Sequence, residues 1–285
     1  MSKRHVLVTG ATGKQGGAVV HALLKAGHAV RGLTRNSGSE AARALADRGV
    51  ALVKGDFADR DSIRTAVAGV DSVFAMSTPF EAGVEAETAQ GKALVDAAAE
   101  ARINHFVYTS VASADQSTGI PHFDSKFAVE QHLESTDLPW TVIAPVYFME
   151  NLFLPQIMEG LNNGVYAVPM PADIALQQVA VEDIGSFGAH VVSNRDAFLG
   201  KRIDIAGDEL TARQTAEVLS KVMGRSINLA QVPMEQIRAF MEDLALMYEW
   251  FISTGYSADI AGLRKAYPEV GWHRFAKWAE TAVPT

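Results

Sequence analysis

The segment that most constrains this chain lies at its start. His5-Val6-Leu7-Val8 is a short apolar run, followed by Thr9, by glycines at positions 10, 13 and 16, and then by Ala18-Val19-Val20-His21-Ala22-Leu23-Leu24. The order predicts a strand, a tight glycine turn and a helix. Such a turn aims backbone N–H groups and the positive end of a helix at one point, an arrangement that suits a phosphate. Gly10, Gly13 and Gly16 carry no Cβ, so the chain turns sharply and a pyrophosphate can approach the backbone. A glycine triplet alone marks only a turn. Here it follows a strand, opens a helix, and is followed at βαβ distance by a second strand, Ala29-Val30-Arg31-Gly32-Leu33.

The rest of the first half repeats this alternation. Helices are expected over Glu40–Ala46, Asp61–Val67, Glu81–Ala101 and Phe123–Leu133. Strands are expected over Ala51–Lys54, Ser72–Met76, Asn104–Tyr108 and Trp140–Ala144. Short apolar strands alternating with helices argue for an α/β fold, a parallel sheet covered on both faces and doubly wound. After Pro145 the texture changes. Val146–Leu161 is rich in Phe, Met and Leu, Val179–Ile184 reads as a strand running into a helix, and Arg202–Ala206 as a late strand. Thr211–Met223 and Glu235–Phe251 read as helices. The 285 residues are thus read as a dinucleotide-binding domain over 1–150 and a smaller, interleaved α/β lobe over 151–285. Segments near 175–206 are expected to return to the first domain.

Composition removes several classes. A formal net charge of -8 without a basic cluster opposes binding to nucleic acid or to an anionic membrane surface. The absence of cysteine excludes disulfides, thiol catalysis and thiolate metal sites. The eight histidines are dispersed, with no H-E-x-x-H spacing, so no metal site is expected. Neither a G-x-S-x-G elbow nor a G-x-x-x-x-G-K-[ST] loop occurs, which disfavours hydrolase and kinase chemistry. No apolar run approaches the roughly 18 residues of a membrane span. Met1-Ser2-Lys3-Arg4-His5 passes straight into a strand, leaving no room for a signal peptide, and the expected location is cytoplasmic.

The end of the second strand addresses the cofactor. In dinucleotide folds an acid there accepts from the ribose 2′-hydroxyl and favours NAD, whereas a basic residue receives the 2′-phosphate of NADP. Here the strand ends Leu33-Thr34-Arg35-Asn36-Ser37, and the first acid afterwards is Glu40. Arg35 therefore favours NADP(H), through a two-point, charge-assisted contact. An ordinary solvated arginine is the competing reading. Asp56 and Phe57 close the third strand, where a carboxylate and a ring would flank adenine; a turn acid and a core ring are equally open.

The G-x-x-G-x-x-G spacing resembles that of extended and atypical short-chain dehydrogenase/reductases. Together with Thr34-Arg35-Asn36, Gly55-Asp56, Gln90-Gly91-Lys92, His122-Phe123-Asp124-Ser125-Lys126, Tyr147–Leu152 and Gly255–Ile260, it resembles the NmrA-like family over most of the chain. The resemblance implies a Rossmann-like domain, a smaller C-terminal lobe and an NADP(H) site. It assigns Thr12, Gly13, Lys14, Gln15 and Gly16 to the pyrophosphate and Arg35 to the 2′-phosphate. Lys92, Lys126, Tyr147 and Asn151 would line the nicotinamide end, and Ser77, after the fourth strand, joins the cofactor-binding set.

The superfamily's Tyr-x-x-x-Lys pair places a proton donor and a ribose-holding lysine on one helix face. This chain keeps Lys126 but has His122 at the tyrosine position. Imidazole, with an ordinary pKa of about 6.5, is a workable acid; a packing histidine at a helix start is the alternative. Ser110 stands where the superfamily orients substrate, or serves as a cap, and Tyr147 is either a second donor or a core ring. The family implies two functions. One is an NADPH-dependent reductase of a small, apolar carbonyl or quinone. The other is a non-catalytic NADP(H)-sensing regulator with a protein partner. The retained lysine and the apolar second lobe favour the first; the missing tyrosine favours the second.

Overall fold

Residues 3–79 and 81–284 are described by the structure, a computed structural model. Met1 and Ser2 of the N-terminal segment read above lie outside the described residues. The expected alternation is realised as β1 (His5–Val8), α1 (Lys14–Lys25), β2 (Ala29–Thr34), α2 (Glu40–Asp47), β3 (Ala51–Lys54) and α3 (Arg60–Val67). It continues as β4 (Ser72–Ala75), α4 (Val84–Glu100), β5 (His105–Thr109), α5 (Pro121–Glu134) and β6 (Trp140–Pro145). Then follow β7 (Tyr147–Phe148), α6 (Pro155–Asn162), β8 (Val165–Val168), β9 (Ala175–Val179), α7 (Val181–Ser193), α8 (Arg195–Phe198) and β10 (Lys201–Ile205). The chain closes with β11 (Asp208–Thr211), α9 (Ala212–Val222), β12 (Asn228–Gln231), α10 (Met234–Phe240), α11 (Glu242–Ser253), α12 (Ile260–Ala266) and α13 (Phe275–Ala282).

Seven strands form one sheet in the order β10-β6-β5-β4-β1-β2-β3. The pairs β1–β2, β1–β4, β2–β3, β4–β5 and β5–β6 run parallel. Parallel strands buried on both faces need apolar residues at every position, and Val6, Leu7 and Val8 are fully buried. Leu7, Val73 and Phe106 pack on one face with Ile63 of α3, Leu94 of α4 and Val129 of α5. On the other face α7 lies against α1. A Cβ at Gly185 would stand 2.6 Å from the Ala18 backbone, so only glycine permits that approach. The strand order reverses between β1 and β4, and at such a point the loops leaving the strands' C-terminal ends part to open a crevice.

The chain separates into two units, 1–117 with 121–144 and 184–203, and 118–120 with 145–183 and 204–285. The second contains a three-stranded sheet, β11-β9-β7, and a two-stranded one, β12-β8. Its core gathers Met149, Leu152, Leu161, Leu219, Phe275 and Trp278. Within the stretch 175–206, β9 pairs in the three-stranded sheet and β10 in the seven-stranded one.

Some boundaries differ from expectation for local reasons. Helix α4 begins at Val84 rather than at Glu81, because Gly83 has φ +89°, a left-handed value outside a right-handed helix. The helix expected over Glu235–Phe251 is two, α10 and α11, parted by Met241 in extended conformation. Helix α5 starts at Pro121, which places His122 in its first turn. Among the described residues, no helix is long and apolar enough to cross a membrane.

Candidate functional site

The glycine turn leaves β1 at the reversal in strand order. Gly10 takes φ +60°, and a Cβ there would run into the Met76 side chain. Gly16 packs α1 directly onto the turn, where a Cβ would collide with the Gly10 carbonyl. Gly13 differs from both. Its backbone is extended (φ -88°, ψ 177°), a conformation open to any residue. Among the described residues, the atom its Cβ would meet within 4 Å is the Gly10 carbonyl oxygen, at 3.3 Å. Gly13 is exposed, as are Thr12 and Lys14 on either side of it. It is the N-cap of α1, and among the described residues no side chain caps that helix. Gln15 turns inward, its Nε2 donating to Thr109 Oγ1 of β5 at 2.6 Å, so this residue offers the outside its backbone rather than its amide side chain. Thr9, which the motif reading passes over, stitches the turn to β4: its Oγ1 donates to the Met76 carbonyl at 3.0 Å and accepts the Met76 N–H at 2.8 Å.

At the C-terminal end of β2, Arg35 is exposed and its guanidinium meets Glu81 at two points, 2.7 and 3.0 Å. Thr34 Oγ1 accepts from the Asn36 N–H, and the Asn36 side chain accepts from the Gly38 N–H, so both shape the loop that carries Arg35. At the end of β3, Asp56 is exposed and accepts from the Ala58 N–H at 2.9 Å, the turn role weighed above. Phe57 packs against the core of the first unit.

Beyond β4 lies a residue that the motif analysis missed. Glu87, in the first turn of α4, is fully buried. Lys126 Nζ donates to its Oε1 at 2.6 Å and to the Ser77 carbonyl at 3.1 Å. Ser125 Oγ donates to Glu87 Oε2 at 2.5 Å, and Ser77 Oγ to Oε1 at 3.1 Å. Ser77 Oγ also lies 3.1 Å from Tyr108 OH, whose phenol burial pushes upward and keeps neutral. The carboxylate thus neutralises the lysine and positions it, and among the described residues two of the ammonium's three donors have partners. His122 lies one turn before Lys126 on α5, buried with its ring edge-on to Phe123. Lys92 is half-buried on the same helix as Glu87. It follows Glu87 by five residues on α4, which carries it about 7.5 Å along the helix and about 140° around it.

Ser110, at the end of β5, donates to Glu130, a second fully buried carboxylate on α5. Arg202 Nε donates to the other Glu130 oxygen at 2.8 Å, and Arg202 Nη2 to the Val111 carbonyl at 3.0 Å. Burial pushes the Glu130 carboxyl above its usual range, and the Arg202 charge acts against that rise. With its hydrogen committed to Glu130, Ser110 has acceptor capacity left to offer, not its donor.

Tyr147 and Asn151 belong to the second unit. Tyr147 OH lies 3.3 Å from Tyr248 OH of α11 and its ring is edge-on to Phe251. Burial pushes the Tyr147 phenol upward, with the Tyr248 and Asn151 side chains acting against it, so it stays a neutral hydrogen-bonding group at ordinary pH. No local pattern pointed to Tyr248, which lies 101 residues from Tyr147.

A sequence model of the NmrA-like family matches residues 2–279. Quinone oxidoreductase 2 of Escherichia coli (strain K12) is 26% identical over 244 residues, covering 85% of this chain and 82% of its own. The triphenylmethane reductase of Citrobacter sp., solved in complex with NADP(H), superposes with a TM-score of 0.79 at 25% identity, over 92% of this chain and 94% of its own. The negative transcriptional regulator NmrA, solved in complex with NADP, superposes with a TM-score of 0.83 at 24% identity, over 100% and 96%. At that identity the likeness is one of fold.

Proposed function

The chain belongs to the NmrA-like family, and we propose that it binds NADP(H) and reduces a small, apolar carbonyl or quinone. The observation that carries the binding step is Gly13. Its backbone conformation does not demand a glycine, and the contact its Cβ would make, 3.3 Å from the Gly10 carbonyl oxygen, asks that carbonyl to give by a few tenths of an ångström, whereas a pyrophosphate resting on the turn leaves no room for a side chain. The first-turn N–H groups of α1 face that point with no side chain capping them, and such groups with the helix dipole hold a phosphate. Thr12 and Lys14 flank it, and Arg35 receives the 2′-phosphate.

When bound, NADPH supplies the hydride, and the protein supplies position. Lys126, held by Glu87 and the Ser77 carbonyl, would hold the nicotinamide ribose. Within the first unit, His122, one turn before Lys126, is the residue proposed to give up or hold the proton. The likeness to a quinone oxidoreductase and a triphenylmethane reductase supports a small, apolar acceptor.

A second reading rests on one specific departure. His122 replaces the tyrosine of the superfamily pair, which favours an NADP(H)-responsive regulator without turnover. A panel of quinones, azo dyes and aldehydes, followed by NADPH absorbance beside calorimetric NADPH binding, separates the two. Turnover above the buffer rate supports the reductase. Tight binding with turnover equal to buffer supports the regulator, and absence of binding overturns both.

A further inference from the structure

Arg35 leaves the C-terminal end of β2, and Glu81 sits in the loop between β4 and α4. Strand β1 stands between β2 and β4 in the sheet, so the pair reaches across the end of β1, where the glycine turn begins. The contact is two-pronged: Nη1 donates to Oε2 at 2.7 Å and Nη2 to Oε1 at 3.0 Å. A guanidinium presents the same planar fork to a carboxylate as to a phosphate. Glu81 therefore holds Arg35 in the way that a 2′-phosphate would. Arg43, farther along the same segment, donates to the Gly38 carbonyl at 2.7 Å, so it is directed elsewhere.

The two cofactors meet this pair differently. A dinucleotide with a 2′-hydroxyl leaves it standing. One with a 2′-phosphate takes the fork only by displacing Glu81, and then lies beside the displaced carboxylate. Both side chains are exposed, 65% and 55%, so the exchange disturbs no core and its energetic scale is that of a surface ion pair.

We propose that Glu81 is a specificity-determining residue, which occupies the fork of Arg35 and narrows the chain's preference for NADP(H) over NAD(H). The inference rests on the assignment of Arg35 to the 2′-phosphate. Calorimetric titration with NADPH and with NADH tests it on the wild type, Glu81→Gln, Glu81→Lys and Arg35→Ala. Glu81→Gln binds NADPH about two- to fivefold more tightly, the range of an exposed ion pair, and leaves NADH unchanged. Glu81→Lys moves NADPH further in the same direction. If Arg35→Ala loses NADPH selectively while Glu81→Gln leaves NADPH unchanged, weakens it, or tightens both cofactors equally, this inference alone is overturned. If Arg35→Ala weakens NADPH and NADH alike, the 2′-phosphate assignment falls and takes the inference with it.

Discussion

Two buried carboxylates, Glu87 and Glu130, are built from the same parts and serve different ends. Each is fully buried on a helix packed against the seven-stranded sheet, each accepts from a serine, and each is paired with a cation. The cation makes the difference. Arg202 donates to Glu130 and the Val111 carbonyl, with Asp115 at 3.6 Å. Lys126 gives two donors to Glu87 and Ser77 and has a third. The first arrangement is a brace between β5, α5 and β10. In the proposed function the second is a held tool at the C-terminal end of β4. A buried ion pair by itself is weak evidence of function; what tells the two apart is that Lys126 stands four residues after His122, at the spacing of the superfamily pair.

Removing each cation probes that difference most forcibly. Arg202→Met leaves Glu130 buried without its counter-charge and lowers unfolding stability by about 3–5 kcal/mol, read by urea denaturation. Lys126→Met leaves Glu87 in the same position and is expected to be similarly costly. Only Lys126→Met, however, reduces turnover of the folded protein, by about a hundredfold at saturating NADPH, the low end for a lost proton-transfer or positioning group. Equal losses of turnover in the two folded variants break the distinction between brace and tool.

A smaller effect sharpens it through pH. Burial raises the folded pKa of Glu130 above its ordinary value of 4.5. The folded state therefore holds this proton at pH values where the unfolded chain has released it. Stability from this group falls as pH rises from about 4.5 through the raised value, by at most about 1.4 kcal/mol per pH unit. Glu130→Gln removes that component, so its denaturation midpoint falls less steeply with pH than the wild type's across the same window. Parallel slopes in the two proteins contradict the assignment. Asp183 and Glu150 are also pushed upward by burial, and the comparison cancels their contributions.

What the sequence makes legible follows from how local each cause is. Strands β1 to β6 and the glycine turn are readable because short apolar runs and turn residues encode them within a few neighbours. The positions of Gly10, Gly13 and Gly16 are likewise legible, although which of them faces outward is a matter of packing. Glu87 carries no local signal, since its partners Ser125 and Lys126 lie 38 and 39 residues away. Gln15 reads as a loop residue, but Thr109, 94 residues distant, draws its side chain inward. The pairings β12–β8 and β11–β9 escape because β11 (DELT) and β12 (NLAQ) carry no apolar run, unlike β1 to β6.

The central claim is that the glycine turn carries a dinucleotide phosphate, and Gly13→Ala tests it most directly. The added methyl meets the Gly10 carbonyl oxygen at 3.3 Å, so that carbonyl must give by a few tenths of an ångström, and among the described residues no other atom outside its chain neighbours lies within 4 Å of it. Stability should therefore change by no more than about 1 kcal/mol, the scale of an N-cap substitution. A methyl at the point of phosphate approach should weaken NADPH at least about tenfold, a loss of about 1.4 kcal/mol or more. Calorimetric titration of the folded variant beside the wild type gives the answer. That loss, with the fold intact, is the predicted result, and wild-type NADPH affinity in Gly13→Ala would contradict the account.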